Sequence, residues 1–175
     1  MTHADVLIAE LEQEAHATRR VLERVPAAKL AWKPHAKSMS LGQLALHVAT
    51  IPGTVASLVA NDVVPEPPSF TQPEAATAAE LVPALEASIA QARAIVSGFD
   101  DARLNATWRL LYHGMELMAM PRAAVLRMVM LNHWYHHRGQ LLVYLRMHDV
   151  PLPSVYGPTA DDNPFAAAMA AAARA

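Results

Sequence analysis

The chain has 175 residues, a formal net charge of −2 and no cysteine. This length fits one domain with a substantial core. The balance of 14 Lys+Arg against 16 Asp+Glu lacks the basic footprint of a nucleic-acid-binding protein. The absence of cysteine excludes disulfides, thiolate metal ligands and a cysteine nucleophile.

Targeting signals are not evident in the sequence. The first residues lack the basic segment and long apolar run of a signal peptide. No stretch reaches about 18 uninterrupted apolar residues, the length that a membrane-spanning helix needs. We therefore expect a cytoplasmic protein that does not contact a membrane.

The N-terminal part predicts an amphipathic helix. Thr2 is suited to cap it, and apolar residues recur with helical spacing until Pro26 ends it. Residues 27–39 then form a connector to the next helix.

A second helix is predicted from Ser40 onward. Ser40 and Gln43 have the spacing of a capping box, with a hydroxyl at the N-cap and an amide three positions later. His47 lies among the apolar positions of this helix. The dipeptide Pro52-Gly53 is expected to kink or interrupt it.

The middle of the chain predicts a loop and a third helix. Residues 64–69 are rich in proline and form the loop. Thr77 and Glu80 form another capping box, which opens a helix that continues to about Ser97.

Residues 100–120 allow two interpretations. Apolar and polar residues alternate weakly around His113-Gly114. This pattern is compatible with a short hairpin or with an irregular connection.

A fourth helix is predicted from Pro121 to about His148, because proline suits the first position of a helix. The chain then continues through a proline-containing loop. Residues 166–175 are rich in alanine and are expected to form a short or frayed helix.

These elements predict an all-α fold. Four amphipathic helices of about 20 residues, joined by long connections, describe a four-helix bundle. We expect one such domain over residues 1–175.

Two histidines of the fourth helix have the spacing of metal ligands. His133 and His137 are four positions apart, so they lie on one helix face and continue its apolar stripe. Two imidazoles in this arrangement can bind one divalent ion, although core histidines are also often satisfied by a carbonyl or a hydroxyl. His136 lies only about 60° around the helix from His133, so spacing does not exclude it as a ligand.

A third histidine can reach this pair. Neighbouring helices of a bundle lie about 8–10 Å apart, so His47 could meet His133 and His137. Three imidazoles with one open coordination position are typical of a catalytic metal site. Zinc and nickel both suit nitrogen ligands.

The same residues carry a resemblance to a known family. The chain resembles the DinB/YfiT-like four-helix bundle proteins, which are metal-dependent enzymes of bacteria. The resemblance rests on a string in the fourth helix, on residues before and within the second helix, and on a C-terminal segment. Those residues are Asn132-His133, His136-His137-Arg138-Gly139-Gln140-Leu141, Trp32-Lys33-Pro34, Ser40-Leu41-Gly42, His47, Tyr156-Gly157-Pro158 and Asp161-Asp162.

The resemblance implies a fold, a metal and a class of reaction. It implies that His47, His133 and His137 bind one divalent metal ion and that His136 has another role. Similar proteins include thiol-dependent transferases and isomerases that use low-molecular-weight thiols.

We therefore predict transfer of a low-molecular-weight thiol to a small-molecule electrophile. Because the chain lacks cysteine, the thiol must come from a cosubstrate. The alternatives are a metal-dependent hydrolase and a non-catalytic metal-binding protein of a stress response. A bundle whose histidines are satisfied internally is the third interpretation.

Other polar residues near the motif have less specific predictions. Arg138 and Gln140 could orient ligands or substrate, or Arg138 could pair with an acidic side chain. Glu116 could approach the metal as a general base, but a surface carboxylate is the simpler interpretation. We expect Tyr135 to be a packing or interface residue. His35 and His113 are expected in exposed loops.

The fourth helix also predicts an assembly. Apolar or aromatic residues occupy a flank of this helix as well as its core face. One bundle core need not cover so wide a surface, so we expect a homodimer. The flank residues are Leu131, Trp134, Leu142 and Leu145.

Overall fold

The computed structural model describes residues 2–69 and 71–174. Most of this part of the chain is helical. The α-helices are α1 (His3–Leu22), α2 (Leu41–Ala60), α3 (Leu81–Val96), α4 (Asp101–Asn105), α5 (Arg122–Val125), α6 (His133–Arg146) and α7 (Ala166–Ala172). The strands are β1 (Val63–Val64), β2 (Thr107–Tyr112) and β3 (Met115–Pro121).

Four long helical segments form the bundle. Helix α2 packs against α3, against α1 and against the fourth helical segment, whose last part is α6. A single apolar core lies between these segments, and Leu11, Leu44, Leu85 and Leu141 are among its buried residues. The predicted bundle is therefore present, with α2 at its centre.

The first helix follows its sequence signals. The Thr2 hydroxyl accepts the Asp5 N–H at 3.1 Å, and the Asp5 carboxylate accepts the Thr2 N–H at 2.7 Å. This reciprocal pair satisfies two of the free N–H groups at the helix start. The helix ends at Leu22, shortly before the predicted stop at Pro26.

Helix α2 begins at the predicted capping box but is not interrupted at Pro52-Gly53. The chain stays helical from Leu41 to Ala60. Neighbouring helices bond the backbone groups at this point, since the Ser88 hydroxyl accepts the Gly53 N–H at 2.8 Å. Of the two predicted outcomes, a kink or an interruption, the interruption was wrong, because packing against α3 and α6 supports the helix through the proline.

The third helix begins as predicted at Thr77. The Glu80 carboxylate accepts the Thr77 N–H at 2.8 Å, and a 3₁₀ turn at Ala78–Glu80 leads into α3. Helix α3 ends at Val96, close to the predicted end.

The segment that allowed two interpretations contains a hairpin. Strands β2 and β3 pair antiparallel, and β1 adds to β2 in parallel. His113 and Gly114 form the turn with φ angles of 48° and 78°, which is the left-handed pair that tight hairpins need. The all-α prediction is therefore corrected: a helical bundle carries a small three-stranded sheet.

The fourth helical segment runs without a break from Arg122 to Arg146. Pro121 is the last residue of β3 and not the first of the helix. Between α5 and α6, Leu126–Asn132 form a π-helical stretch, which sequence periodicity did not predict. Sequences carry little local signal for π-helices, and they often occur at functional sites.

The flank used to predict a homodimer is covered within the protein. Leu131, Trp134 and Leu145 are fully buried, and Leu142 packs partly buried against the core. The argument for a dimer from these residues was wrong, because they are already buried inside the protomer. Helices α1 and α2 and the C-terminal segment cover more than one face of this helix. The homodimer itself stays a prediction.

Helix α2 resembles a membrane-spanning helix in length and composition alone. Its most apolar window has a mean hydropathy of 1.4, but 56% of that window is buried inside the bundle. The core helix of a globular protein has the same properties, so this helix is weak support for a membrane span.

Candidate metal centre

Three histidines converge where α2 faces α6. The potential ligand atoms of His47, His133 and His137 all lie within 4.8 Å of one another. The ring centroid of His47 is 5.3 Å from that of His133 and 4.7 Å from that of His137. All three side chains are half-buried. The tertiary structure thus brings together the three residues that the sequence analysis selected, and this group could hold a metal ion.

The π-helical stretch orients His133. In a regular α-helix the His133 N–H would donate to the Val129 carbonyl. Here it donates to the carbonyl of Met128, one residue earlier. The Val129 carbonyl lies 3.3 Å from Nδ1 of His133 and can accept a hydrogen bond from it. In the tautomer that donates this bond, Nδ1 carries the proton and Nε2 has a free lone pair.

Gln140 orients His137 in a similar way. Its side-chain Oε1 lies 2.8 Å from Nδ1 of His137 and accepts a hydrogen bond from it. Its amide nitrogen lies 3.0 Å from Nε2 of His136. Gln140 therefore bridges the two neighbouring imidazoles and also leaves the lone pair of His137 on Nε2. Of the roles considered for Gln140, the orientation of a ligand matches this geometry.

The two oriented histidines face each other. Nε2 of His133 and Nε2 of His137 are 2.7 Å apart. This distance fits a hydrogen bond when one Nε2 atom carries a proton. When Gln140 and the Val129 carbonyl accept from both Nδ1 atoms, both Nε2 atoms carry lone pairs, and two lone pairs at this distance repel each other. A positive ion between them removes the repulsion, so the donor set fits a metal.

The separations are also compatible with one ion. Nitrogen ligands at about 2.0–2.1 Å in a tetrahedral site lie about 3.3 Å from one another. The distances here range from 2.7 Å to at most 4.8 Å and bracket that value. Small side-chain adjustments would bring the three nitrogens to a common centre.

Burial keeps the three imidazoles in the form that binds metals. Desolvation, together with the neighbouring histidines, lowers the pKa of His47 to about 4. Desolvation also lowers the pKa of His137 to about 4, against the Gln140 hydrogen bond, which raises it. The pKa of His133 is lowered mainly by burial. All three are therefore neutral at pH 7 and carry a lone pair for a metal.

His136 lies outside this group. Its side chain is exposed, and it does not belong to the cluster of potential ligand atoms. Among the hydrogen bonds of the described residues, its one link to the three histidines runs through the Gln140 side chain. The sequence analysis left His136 open on spacing, and the rotation of the helix directs it away from α2.

Arg138 pairs with an acidic side chain and does not reach the histidines. It is buried, and its guanidinium donates to the Glu14 carboxylate at 2.6 Å and to the Tyr156 hydroxyl at 2.6 Å. Its remaining bonds include the Thr18 hydroxyl at 3.0 Å. This network attaches the C-terminal segment to α1 and α6, so Arg138 stabilises the fold beside the site.

The remaining candidates lie away from the histidines. Glu116 is an exposed residue of β3 and forms an ion pair with Arg109, as expected of a surface carboxylate. The Tyr135 hydroxyl donates to Glu10 at 2.8 Å in packing against α1. His35 and His113 are exposed, as predicted.

A cavity beside the histidines was not predicted. It has a volume of about 390 Å³ and lies between α2, residues 68–69 and 71–73, and the π-helical stretch. His47 and His133 form part of its wall, and Gln72 lies beside His47. The sequence predicted a loop over residues 64–69, and the structure corrects its start, because Val64 belongs to β1. A loop composition also does not indicate which helix the loop covers.

Comparisons with known proteins agree with this architecture. The protein YrdA of Bacillus subtilis (strain 168), described as uncharacterized, is 26% identical over 159 residues and 90% of each chain is covered. A DinB-like protein from Bacillus cereus ATCC 10987 has a TM-score of 0.66 at 20% identity, over 86% of this chain and 95% of that one. The DinB-like protein YjoA from Bacillus subtilis has a TM-score of 0.63 at 18% identity, over 89% and 97%.

These structures share the fold at low identity, and none of the names states a substrate. The model of the DinB family matches residues 1–164, which is nearly the whole chain and includes all three histidines. The chain therefore belongs to the DinB family.

Proposed function

We propose that this protein is a metal-dependent enzyme that transfers a low-molecular-weight thiol to a small electrophile. One observation carries the proposal: three neutral imidazoles converge on a common centre at the wall of a cavity. Three protein ligands leave one position of a tetrahedral site for a small molecule, as in catalytic metal sites.

His47, His133 and His137 would hold a divalent ion, and nitrogen ligands suit zinc or nickel. When bound, such an ion supplies positive charge that favours the thiolate form of a nearby thiol. The Val129 carbonyl and Gln140 keep His133 and His137 aimed at the centre.

At the electrophilic carbon, the proposed reaction forms one bond and breaks one bond, without redox change. The thiol loses its proton, and a sulfur lone pair forms an S–C bond with the electrophilic carbon. The bond from that carbon to the leaving group breaks, and its electron pair leaves with that group, which takes up a proton. The thiol must be a cosubstrate because the chain contains no cysteine.

Metal content is the first test of the proposal. The purified protein should contain about one zinc or nickel ion per chain by elemental analysis. His47→Ala, His133→Ala and His137→Ala should each weaken metal binding by more than about 100-fold, since even indirect partners of a metal cost about 10–100-fold. His136→Ala is the matched control and should retain the metal. Full occupancy in all three ligand variants would contradict the site.

Dependence on thiol separates transfer from hydrolysis. Turnover of an alkyl halide should require both the metal and an added small thiol. Hydrolysis of an ester or amide by the metal-loaded protein without thiol, lost in His137→Ala, would replace the transferase by a hydrolase. A stoichiometric metal without either activity would favour a non-catalytic metal-binding protein.

A further inference from the structure

The cavity beside the histidines has the size of a small-ligand site. Its volume of about 390 Å³ is near the lower end of the range of about 300–1,000 Å³ typical of ligand pockets. Helix α2 forms one wall from His47 to Leu58, and residues 68–69 and 71–73 form another. Val129 of the π-helical stretch and His133, the first residue of α6, also contribute to the wall. A molecule in this cavity therefore lies directly against two of the three histidines.

The lining is uncharged. Apart from the two histidines, the described residues of the wall have aliphatic, proline, hydroxyl or amide side chains, such as Ile51, Val55, Pro73 and Thr71. Transfer of an unpaired charge from water to such surroundings is costly. The cavity thus disfavours a carboxylate, a phosphate or an ammonium group.

The polar groups of the wall suit a neutral polar group. The Thr50 hydroxyl donates to the Leu46 carbonyl at 2.9 Å, so its lone pairs remain able to accept a hydrogen bond. The Gln72 side chain lies against His47 and has both a donor and an acceptor. A hydroxyl, carbonyl or ether oxygen on an otherwise apolar molecule matches these partners.

We propose that this cavity binds the electrophilic substrate and selects one that is uncharged and largely apolar. The inference rests on the proposed thiol transfer, in which the anionic partner is the thiolate and the histidine centre is its site. The two substrates then meet at His47 and His133, with the charge on one side and the apolar body of the electrophile on the other.

Binding of three molecules of similar shape tests the charge selection. Benzyl alcohol, benzoate and benzylammonium are titrated into the full chain after chelator treatment, with saturation-transfer NMR as readout. Without a metal ion, only the wall can distinguish them. Benzyl alcohol should bind at least about tenfold more tightly than either charged molecule, a difference of about 1.4 kcal/mol. Equal or tighter binding of a charged molecule would overturn the inference.

A filling variant locates the binding. Thr54 is an exposed residue of the wall, so Thr54→Trp can place an indole in the cavity without disturbing the core. It should abolish binding of benzyl alcohol and leave the metal content unchanged. Thr107→Trp is the control, because Thr107 is exposed on β2 and does not line the cavity. Unchanged binding in a folded Thr54→Trp protein, with folding checked by circular dichroism, would refute the cavity.

Turnover distinguishes failure of the inference from failure of the proposed function. With a small thiol and zinc, a benzyl halide should have at least about tenfold higher kcat/KM than its 4-carboxy derivative. Thiol transfer that prefers the carboxylate would overturn the charge selection and keep the transferase. No thiol transfer to either halide, together with binding of benzyl alcohol that Thr54→Trp abolishes, would remove the transferase and leave a cavity for neutral ligands.

Discussion

The indole N–H of Trp134 donates to the backbone carbonyl of Val48 at 2.8 Å. In an uninterrupted α-helix this carbonyl would accept the N–H of residue 52, but residue 52 is proline and has none. The side chain from α6 thus supplies the donor that the proline of α2 lacks. The contact lies one residue from His47 and one from His133, so it also sets how closely the two histidine-bearing helices approach.

This relationship predicts coupled effects on stability. Trp134→Phe should lower the free energy of unfolding by about 1–3 kcal/mol beyond the loss of packing, because the buried Val48 carbonyl loses its donor. In a Pro52→Ala background the new N–H can bond that carbonyl, so the loss should be smaller by at least about 1 kcal/mol. Urea denaturation of the wild-type protein, the two single variants and the double variant measures this difference.

Trp108 is the control for this cycle. Its indole donates to the Leu58 carbonyl at 3.1 Å, which Pro52 does not affect. Trp108→Phe and Pro52→Ala should therefore be additive within about 0.5 kcal/mol. Additive effects of Trp134→Phe and Pro52→Ala would show that the Val48 carbonyl does not depend on the indole.

A pair of glycines predicts opposite responses to alanine. A Cβ at Gly53 would lie 3.0 Å from the Ser88 backbone, where α2 and α3 approach closely. Gly53→Ala should therefore lower the free energy of unfolding by about 1–3 kcal/mol. A Cβ at Gly139 would have no atom within 4 Å among the described residues outside its own helix backbone. Gly139→Ala should be neutral or stabilise α6 by up to about 1 kcal/mol. Thermal denaturation of both variants measures these effects. Equal effects would contradict the close approach of α2 and α3 at Gly53.

Gln140 is expected to tune metal affinity without being a ligand. Gln140→Leu removes the acceptor of the His137 Nδ1 proton and should weaken zinc binding by about 10–100-fold. Gln140→Glu keeps an acceptor there and should restore most of the affinity. Competition with a chromophoric chelator measures both.

Replacement of His136, which is exposed and also contacts Gln140, is the control for the Gln140 variants. His136→Ala leaves the contact of Gln140 with His137 available and should change the affinity much less. Wild-type affinity in Gln140→Leu would mean that the His137 ring needs no support.

The buried histidines predict a pH dependence of stability. The pKa values of His47 and His137 are lowered to about 4 in the folded protein, whereas unfolded histidine has a pKa of about 6.5. Between these values the unfolded chain binds more protons than the folded one. The free energy of unfolding of the metal-free protein should therefore fall as the pH is lowered from about 6.5 to about 4.

Urea denaturation across that pH range measures this slope. His137→Asn should make it shallower, because one of the histidines with a lowered pKa is gone. His113→Gln is the control, since His113 lies exposed in the hairpin turn. A free energy of unfolding that does not change over this range would contradict neutral, desolvated histidines.

The homodimer is a prediction that needs a solution measurement. The flank of Leu131, Trp134 and Leu145 no longer supports it, because these residues are buried in the protomer. Apolar side chains do remain exposed on the same helix at Val143 and Met147. Light scattering at micromolar concentration should give twice the chain mass, and a value of 19.0 kDa would exclude the dimer.

The sequence by itself determined the elements whose cause is local. Capping boxes at Thr2, Ser40 and Thr77 set three helix starts, since the bonds that form them lie within four residues. Helical spacing also placed His133 and His137 on one face. The apolar stripe around His47 indicated that it points toward the core.

Only the tertiary structure decided features that depend on distant residues. The helix through Pro52 persists because Trp134 and Ser88, far along the chain, bond the backbone near it. Residues 100–120 form a hairpin in a sheet with β1, a pairing that periodicity cannot reveal. The π-helical stretch and the cavity arise where separate segments pack together. Local patterns therefore select the candidate metal ligands, and long-range packing decides their orientation and what can bind beside them.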